Sequence, residues 1–414
     1  MDLPNDWKNL TLEECSTKIT DGSHFSPKES KEGRFRIATV ANMEKKHIDL
    51  ESCKRISKED YEMLVANGCR PESGDVLFSK DGTVGLSFAY KQHAELVLLS
   101  SIAIIRPKGL LNPEYCSYAL QSTPVLQKIM GSRRGTGLKR LILADIERIQ
   151  IPLPPLPEQV KIAKVLSTVD DAIQKSDEIL AKTERLKRGM MKKLLGKGLG
   201  HKDFKESELG SVPKEWDVLK VSDVFKVITG TTPSTKNRGY WENATVNWFT
   251  PADMTDISGQ AYLTESRRRI SLKAIEDTTL TVMPQGSLIL STRAPVGYAG
   301  ILKAKSTFNQ GCKGLLPNEG RDISPEFYYY FFSSIQKKLQ NMSAGSTFTE
   351  LGKDAFERCL IIYPEYSEQV KIAGIISSFD QKLELERKRK VKLERIKNGL
   401  MDDLLTGKKR VTVS

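Results

Sequence analysis

The stretch 158-EQVKIAKVLSTVD-170 returns, roughly 210 residues further on, as 368-EQVKIAGIISSFD-380. The match continues in register downstream: Glu184-Arg185 answers Glu394-Arg395, Lys187 answers Lys397, Gly189-Met190-Met191 answers Gly399-Leu400-Met401, and Leu194-Leu195 answers Leu404-Leu405. Upstream the likeness is looser but keeps its order. Pro4 to Trp7 matches Pro213 to Trp216, Gly74 to Ser79 matches Gly286 to Ser291, and Val84-Gly85 matches Val296-Gly297. Asn112-Pro113-Glu114-Tyr115 matches Ser324-Pro325-Glu326-Phe327, and Gly131-Ser132 matches Gly345-Ser346. A period this long lies far outside the range of stacked solenoid repeats. It marks two copies of a whole module, each a globular part followed by a helix.

Those helices carry a heptad signature. Ile162, Leu166, Val169, Ile173 and Leu180 fall in near-alternating steps of four and three, as do Ile372, Ile376, Phe379 and Leu383 before the second copy turns heavily charged. With no proline from Val160 to Leu195 or from Val370 to Leu405, each helix is expected to run about 35 residues, or about 50 Å. The prolines from Pro152 to Pro157 are read as the stop before the first helix; a PxxP ligand for a partner is the weaker alternative, since the second copy keeps only Pro364. The globular parts read as mixed α/β. Strands are expected at Ile37 to Val40, Val76 to Ser79 and Leu98 to Ile105, and helices at about 113–130 and 325–341 behind the N-caps Asn112 and Ser324.

Composition narrows the partners. Sixty-four Lys and Arg against 52 Asp and Glu leave +12, which suits a polyanion. Six cysteines without a close pair and four scattered histidines offer no zinc-type spacing. The start, Met1 to Asp6, lacks the basic and apolar regions of a secretory signal. The most apolar stretch, Leu96 to Ile105, is too short to span a bilayer and reads as one buried strand. A cytoplasmic setting is the expectation.

The run IPLPPLPEQVKIAKVLSTVDDAI from Ile151 resembles the central conserved region of type I restriction-modification specificity subunits. FKESELGSVPKEWDV from Phe204 looks like that family's entry into its second target-recognition domain, and IKNGLMDDLLTGKKRV from Ile396 is similar to its C-terminal conserved region. The resemblance covers the chain from end to end. It implies an α+β fold: two repeated mixed α/β target-recognition domains joined by two long helices that form an antiparallel coiled coil. The domains would be residues 1–150 and 201–363, with the central conserved region at 151–200 and the C-terminal one at 364–414. Each domain would read one half of a split site in double-stranded DNA, the coil acting as a ruler for the gap. Two methyltransferase (modification) subunits and restriction/translocase subunits would assemble on this scaffold. S-adenosylmethionine, ATP and Mg are expected on those partners and no cofactor on this chain, which would itself be non-catalytic. The alternatives are a stand-alone DNA-binding scaffold or regulator, and a DNA methyltransferase with disguised motifs.

Catalytic motifs are thin. Asn112-Pro113-Glu114-Tyr115 approaches the NPPY motif that holds an extruded adenine, but the second copy reads Ser-Pro-Glu-Phe, and a repeated helix N-terminus accounts for both. Gly135-Thr136-Gly137 lacks a third glycine, and Gly196 to Gly200 follows a helix, reading as a helix stop. No GxxxxGK[ST] occurs. For DNA contact the foremost candidate is the loop Gly131 to Arg140, in which Arg133, Arg134, Lys139 and Arg140 lie among glycines with Thr136, so that backbone and guanidinium can approach phosphate and guanine together. The equivalent loop, with Ser346 and Thr347, has lost that charge, as two heads reading different sequences would and as simple drift would too. The other candidates are Lys28, Lys80 and, in the second copy, Thr235, Lys236, Arg238 and Arg293. Arg267-Arg268-Arg269 is read as a solvated face or a phosphate contact.

Overall fold

Each EQVKIA string opens a long helix: Leu156–Lys197, of 42 residues, and Tyr366–Leu405, of 40. These belong to a computed structural model that describes residues 3–31, 33–131, 141–256, 259–343 and 350–412 of the chain. Both helices start earlier than the proline pattern predicts. Pro157 does not precede the first helix but sits in its first turn, where a missing N–H costs nothing.

The heptad seam also runs further than its apolar residues reveal. Beyond Ile173 the withdrawn positions are Ser176, Leu180, Thr183, Lys187, Met190 and Leu194, still in steps of three and four; the second helix continues through Glu386, Lys390, Leu393 and Lys397. Small and long-stemmed polar residues keep the phase. Their charged ends pair across the seam. Asp170 meets Lys397 at 2.7 Å and Asp177 meets Lys390; further along, Glu184 meets Arg387 at 3.0 Å and Lys187 meets Asp380. Positions climb along one helix as they fall along the other, so the helices form an antiparallel coiled coil.

The chain divides into two units, Met1–Asp177 with Arg389–Ser414, and Glu178–Lys388. In the first, a four-stranded antiparallel sheet has the order Ser16–Asp21, Ile102–Pro107, Val76–Ser79, Ser87–Ala89, and a three-stranded sheet the order Lys54–Ile56, Phe35–Ala38, Leu96–Leu98. The second repeats both orders: Phe225–Thr229, Cys312–Pro317, Leu288–Ser291, Ala299–Leu302 (extended by Tyr262–Leu263), then Arg269–Ile270, Val246–Phe249, Ser306–Phe308. The duplication seen in the sequence is thus a duplication of topology.

Two expected elements are split. Leu96 to Ile105 is not one strand: Leu96–Leu98 and Ile102–Pro107 belong to different sheets, parted by a turn that Ile102 N–H closes onto the Leu99 carbonyl. The helix expected over 113–130 breaks after Leu120, because Pro124 in the next helix, Thr123–Gly131, has no N–H to continue the ladder. Its counterpart divides into Pro325–Ser334 and Gln336–Ser343.

The glutamines of the repeated string tie each domain to its long helix. Gln159 and Gln369 are fully buried. Gln159 Oε1 accepts from Asn112 N–H at 2.8 Å, while Nε2 donates to the carbonyls of Leu110 and Pro154; Gln369 accepts from Ser324 N–H at 2.9 Å and donates to Asp322 and Pro364. All four polar atoms of these two amides are thereby used, as burial demands. Around them lie the two large cores, one built on Trp7, Tyr115 and Leu166, the other on Trp216, Tyr328 and Ile376.

Candidate nucleic-acid interface

In both copies the first strand of the main sheet is followed by a glycine with no room for a side chain. A Cβ on Gly22 would lie 2.1 Å from the Leu98 carbonyl oxygen, and one on Gly230 2.1 Å from that of Asn309. These close approaches fix where the chain leaves the sheet for the loops holding Lys28 and Thr235 to Arg238. Lys28, Thr235, Lys236 and Arg238 are exposed. In the second copy the loop is braced: Asn237 caps a short turn at Arg238–Tyr240, and Trp241 Nε1 donates to the Ser234 carbonyl at 3.1 Å.

Lys80 and Arg293 follow equivalent strands but stand differently. Lys80 does not reach the surface: it is buried and pairs with Asp21 at 2.7 Å. Arg293 is exposed and pairs with Glu350 at 2.9 Å, leaving guanidinium N–H groups for another acceptor. Arg133, Arg134, Thr136, Lys139, Arg140, Ser346 and Thr347 lie outside the described residues. The arginine triplet is no uniform face: Arg267 pairs with Asp256, Arg268 lies 3.8 Å over the Trp241 ring, and Arg269 stands 3.5 Å from Glu265.

The methyltransferase-like tetrad serves as a helix start. Asn112 Oδ1 accepts from Tyr115 N–H at 2.9 Å, and Tyr115 is fully buried with its hydroxyl on the Pro152 carbonyl. Ser324 caps Pro325–Ser334 in the same way. Among the described residues no helix is long and apolar enough to cross a membrane, and no His, Cys, Asp and Glu are grouped to hold a metal.

Three polar arrangements went unread in the sequence. Tyr118 donates to Asp170 at 2.8 Å, and Lys397 bonds the same carboxylate while lying over the Tyr118 ring; Tyr330, Asp380 and Lys187 repeat the arrangement. At the helix ends, Glu158 accepts from Trp7 and Arg410, and Glu368 from Trp216 and His201. The third is Lys313, buried on the inner strand Cys312–Pro317. The first two could have been found by pairing identical positions of the repeats; Lys313 could have been found as a cation in the mostly apolar run Cys312–Pro317.

With that geometry in place the comparisons agree. The model of the type I restriction modification DNA specificity domain matches residues 4–185 and again 213–395. The chain belongs to this family, and is a DNA sequence-recognition subunit of the type I class. It is 28% identical to the MjaX specificity subunit of Methanocaldococcus jannaschii, over 99% of this chain and 95% of that one, and 37% identical to the MjaIX specificity subunit of the same organism over 48% and 47%. The crystal structure of the type I S subunit from M. genitalium shares the fold, with a TM-score of 0.61 at 14% identity over 100% of this chain and 99% of the other.

Proposed function

We propose that residues 1–150 and 201–363 are two target-recognition domains, each reading one half of a split duplex site, and that the chain is a non-catalytic cytoplasmic scaffold for its partner enzymes. The observation that carries this reading is one topology used twice with unlike loops. Lys28 and the segment around Arg133 and Arg134 would serve one half-sequence; Thr235, Lys236, Arg238 and Arg293, with the segment around Ser346 and Thr347, would serve the other. Lys80, held by Asp21, would act by shaping its loop. Two copies of one partner are favoured by a repeated surface: Leu156 and Val160 at the start of the first long helix, 42% and 49% exposed, recur as Tyr366 and Val370, 48% and 45% exposed. We assign these partners as two methyltransferase subunits, joined by restriction/translocase subunits.

The test is the methylome of cells that carry the chain with its modification subunit. Arg133→Ala with Arg134→Ala should weaken binding and relax one half-sequence; Lys236→Ala with Arg238→Ala should do so for the other, each by roughly 1–3 kcal/mol per lost base contact. Relaxation of both halves by either pair, or methylation by the chain without its partner, would refute the assignment.

A further inference from the structure

Lys313 is a cation whose stem the fold buries and whose ammonium it leaves without a direct partner. Only 4% of the residue is exposed, and among the described residues its side chain makes no ion pair or hydrogen bond. Burial pushes its ammonium below the ordinary lysine range, opposed by the charge of Glu350 and reinforced by those of Arg293 and Lys353. Glu350 is already engaged, its Oε2 accepting from Arg293.

The first copy solves the same place differently. Asp21 faces Ala103 across its sheet as Thr229 faces Lys313. The lysine there is Lys80, which stands where the second copy has Thr292, and it is bound to Asp21. So the first copy pairs its buried cation with a carboxylate. The second has moved the cation one strand over and put threonine where the carboxylate would be. A lysine drawn this far out of water, with its nearest carboxylate already engaged, loses hydration without gaining an ion pair, and a well-packed apolar residue in its place would cost nothing of the kind. An anionic or strongly electronegative acceptor arriving from outside would remove the penalty.

We propose that Lys313 is a DNA contact of the second copy, receiving an oxygen of the duplex at the sheet end where Thr229 and Ser291 open into the loops of Lys236, Arg238 and Arg293. The inference rests on the recognition function proposed above. The acceptor is either a phosphate oxygen or a guanine edge, and the two leave different marks.

The experiment uses the full chain assembled with its modification subunits, on a duplex bearing the site that the native complex methylates and on a scrambled duplex. Lys313→Met should weaken binding roughly 10-fold. With a phosphate acceptor the loss is equal on both duplexes and the salt slope falls by about 0.9. With a guanine acceptor it is confined to the cognate duplex and relaxes one base pair of one half-site. Thr229→Asp, which supplies the carboxylate the first copy has, should cause a similar loss with the lysine still present. The thermal midpoint of Lys313→Met should equal or exceed the native one. Native affinity and salt slope in Lys313→Met, or a fallen midpoint accompanying lost binding, would overturn the assignment. A native complex that shows no preference for a split site would instead sink the recognition function, and the wild-type control reports that separately.

Discussion

The two copies close the ends of their long helices with the same glutamate and different cations. Behind Leu405 the chain turns at Gly407 (φ 74°) and Arg410 forks onto Glu158 and Asp6, with Trp7 donating to the same Glu158. Behind Lys197 it turns at Gly198 (φ 63°), and His201 sets one ring nitrogen 2.9 Å from Glu368 and the other 3.0 Å from Glu215, with Trp216 donating to Glu368 at 2.8 Å. Both glycines leave no room for a Cβ: it would lie 2.8 Å from Trp216 in one copy and 2.6 Å from Pro4 in the other. The shared part is the tryptophan, the glutamate and the tight turn, which set the packing. The variable part is the cation. A duplicated fold holds its apolar and geometric requirements while the charge that satisfies them drifts between chemically different donors.

Removing the glutamate should have the largest effect, and an unequal one. Glu368 takes three donors, the third being Leu199 N–H at 2.8 Å, and the His201 side chain is 15% exposed. Glu368→Ala strands these donors with little access to water and should cost about 3 kcal/mol. Glu158→Ala leaves Arg410, 42% exposed, still paired with Asp6 and strands mainly the Trp7 indole, so about 2 kcal/mol is expected. Urea unfolding of the full-length variants measures both, and equal losses would mean that the identity of the cation is immaterial.

Acidity separates the copies next. Burial opposes the charge on His201, but the hydrogen bond and charge of Glu368, with those of Glu215, outweigh it and raise the imidazole above its ordinary 6.5. A raised folded value means that the protonated clamp stabilises fully below pH 6.5 and loses its contribution as pH rises through the folded value. Glu158 and Asp6 hold Arg410 above the ordinary arginine range, so that clamp does not titrate near neutrality. Thermal midpoints taken upward from pH 6 should therefore drift down in the native chain and flatten in His201→Arg. An unchanged drift in the variant would place the titrating group elsewhere.

Much of this was legible in the sequence because it is written in apolar spacing. The repeat, the heptads and the helix caps at Asn112 and Ser324 each follow from local pattern. What stayed hidden is made by distant partners. Lys397 and Asp170 form a pair only once two helices run antiparallel, and no local window contains both. Ser176 and Thr183 interrupt the apolar rhythm, although both are buried and their small side chains suit a close seam. Lys80 read as a free cation because Asp21, its counter-ion, is a strand away. The loop candidates were legible as charge and glycine, but charge alone does not say whether a lysine faces solvent or a carboxylate.

The smallest difference between the copies should be the pair of Lys46 with Asp171, at 2.6 Å. The repeat places Gln381 where the first copy has Asp171, so the second copy has no carboxylate at that position. The pair is partly solvated, Lys46 being 35% and Asp171 65% exposed. Two long side chains held in water gain little attraction, and ordering them offsets part of it. Asp171→Asn should thus cost no more than about 0.5 kcal/mol, and the cost should disappear near 1 M salt, where the screening length falls to about 3 Å. Buried pairs are screened less, so the loss on Glu368→Ala should survive the same salt. Urea midpoints of the two variants at low and high salt make the comparison. A loss of 2 kcal/mol or more on Asp171→Asn, persisting at 1 M salt, would mean that this contact bears on the first copy as its clamp does.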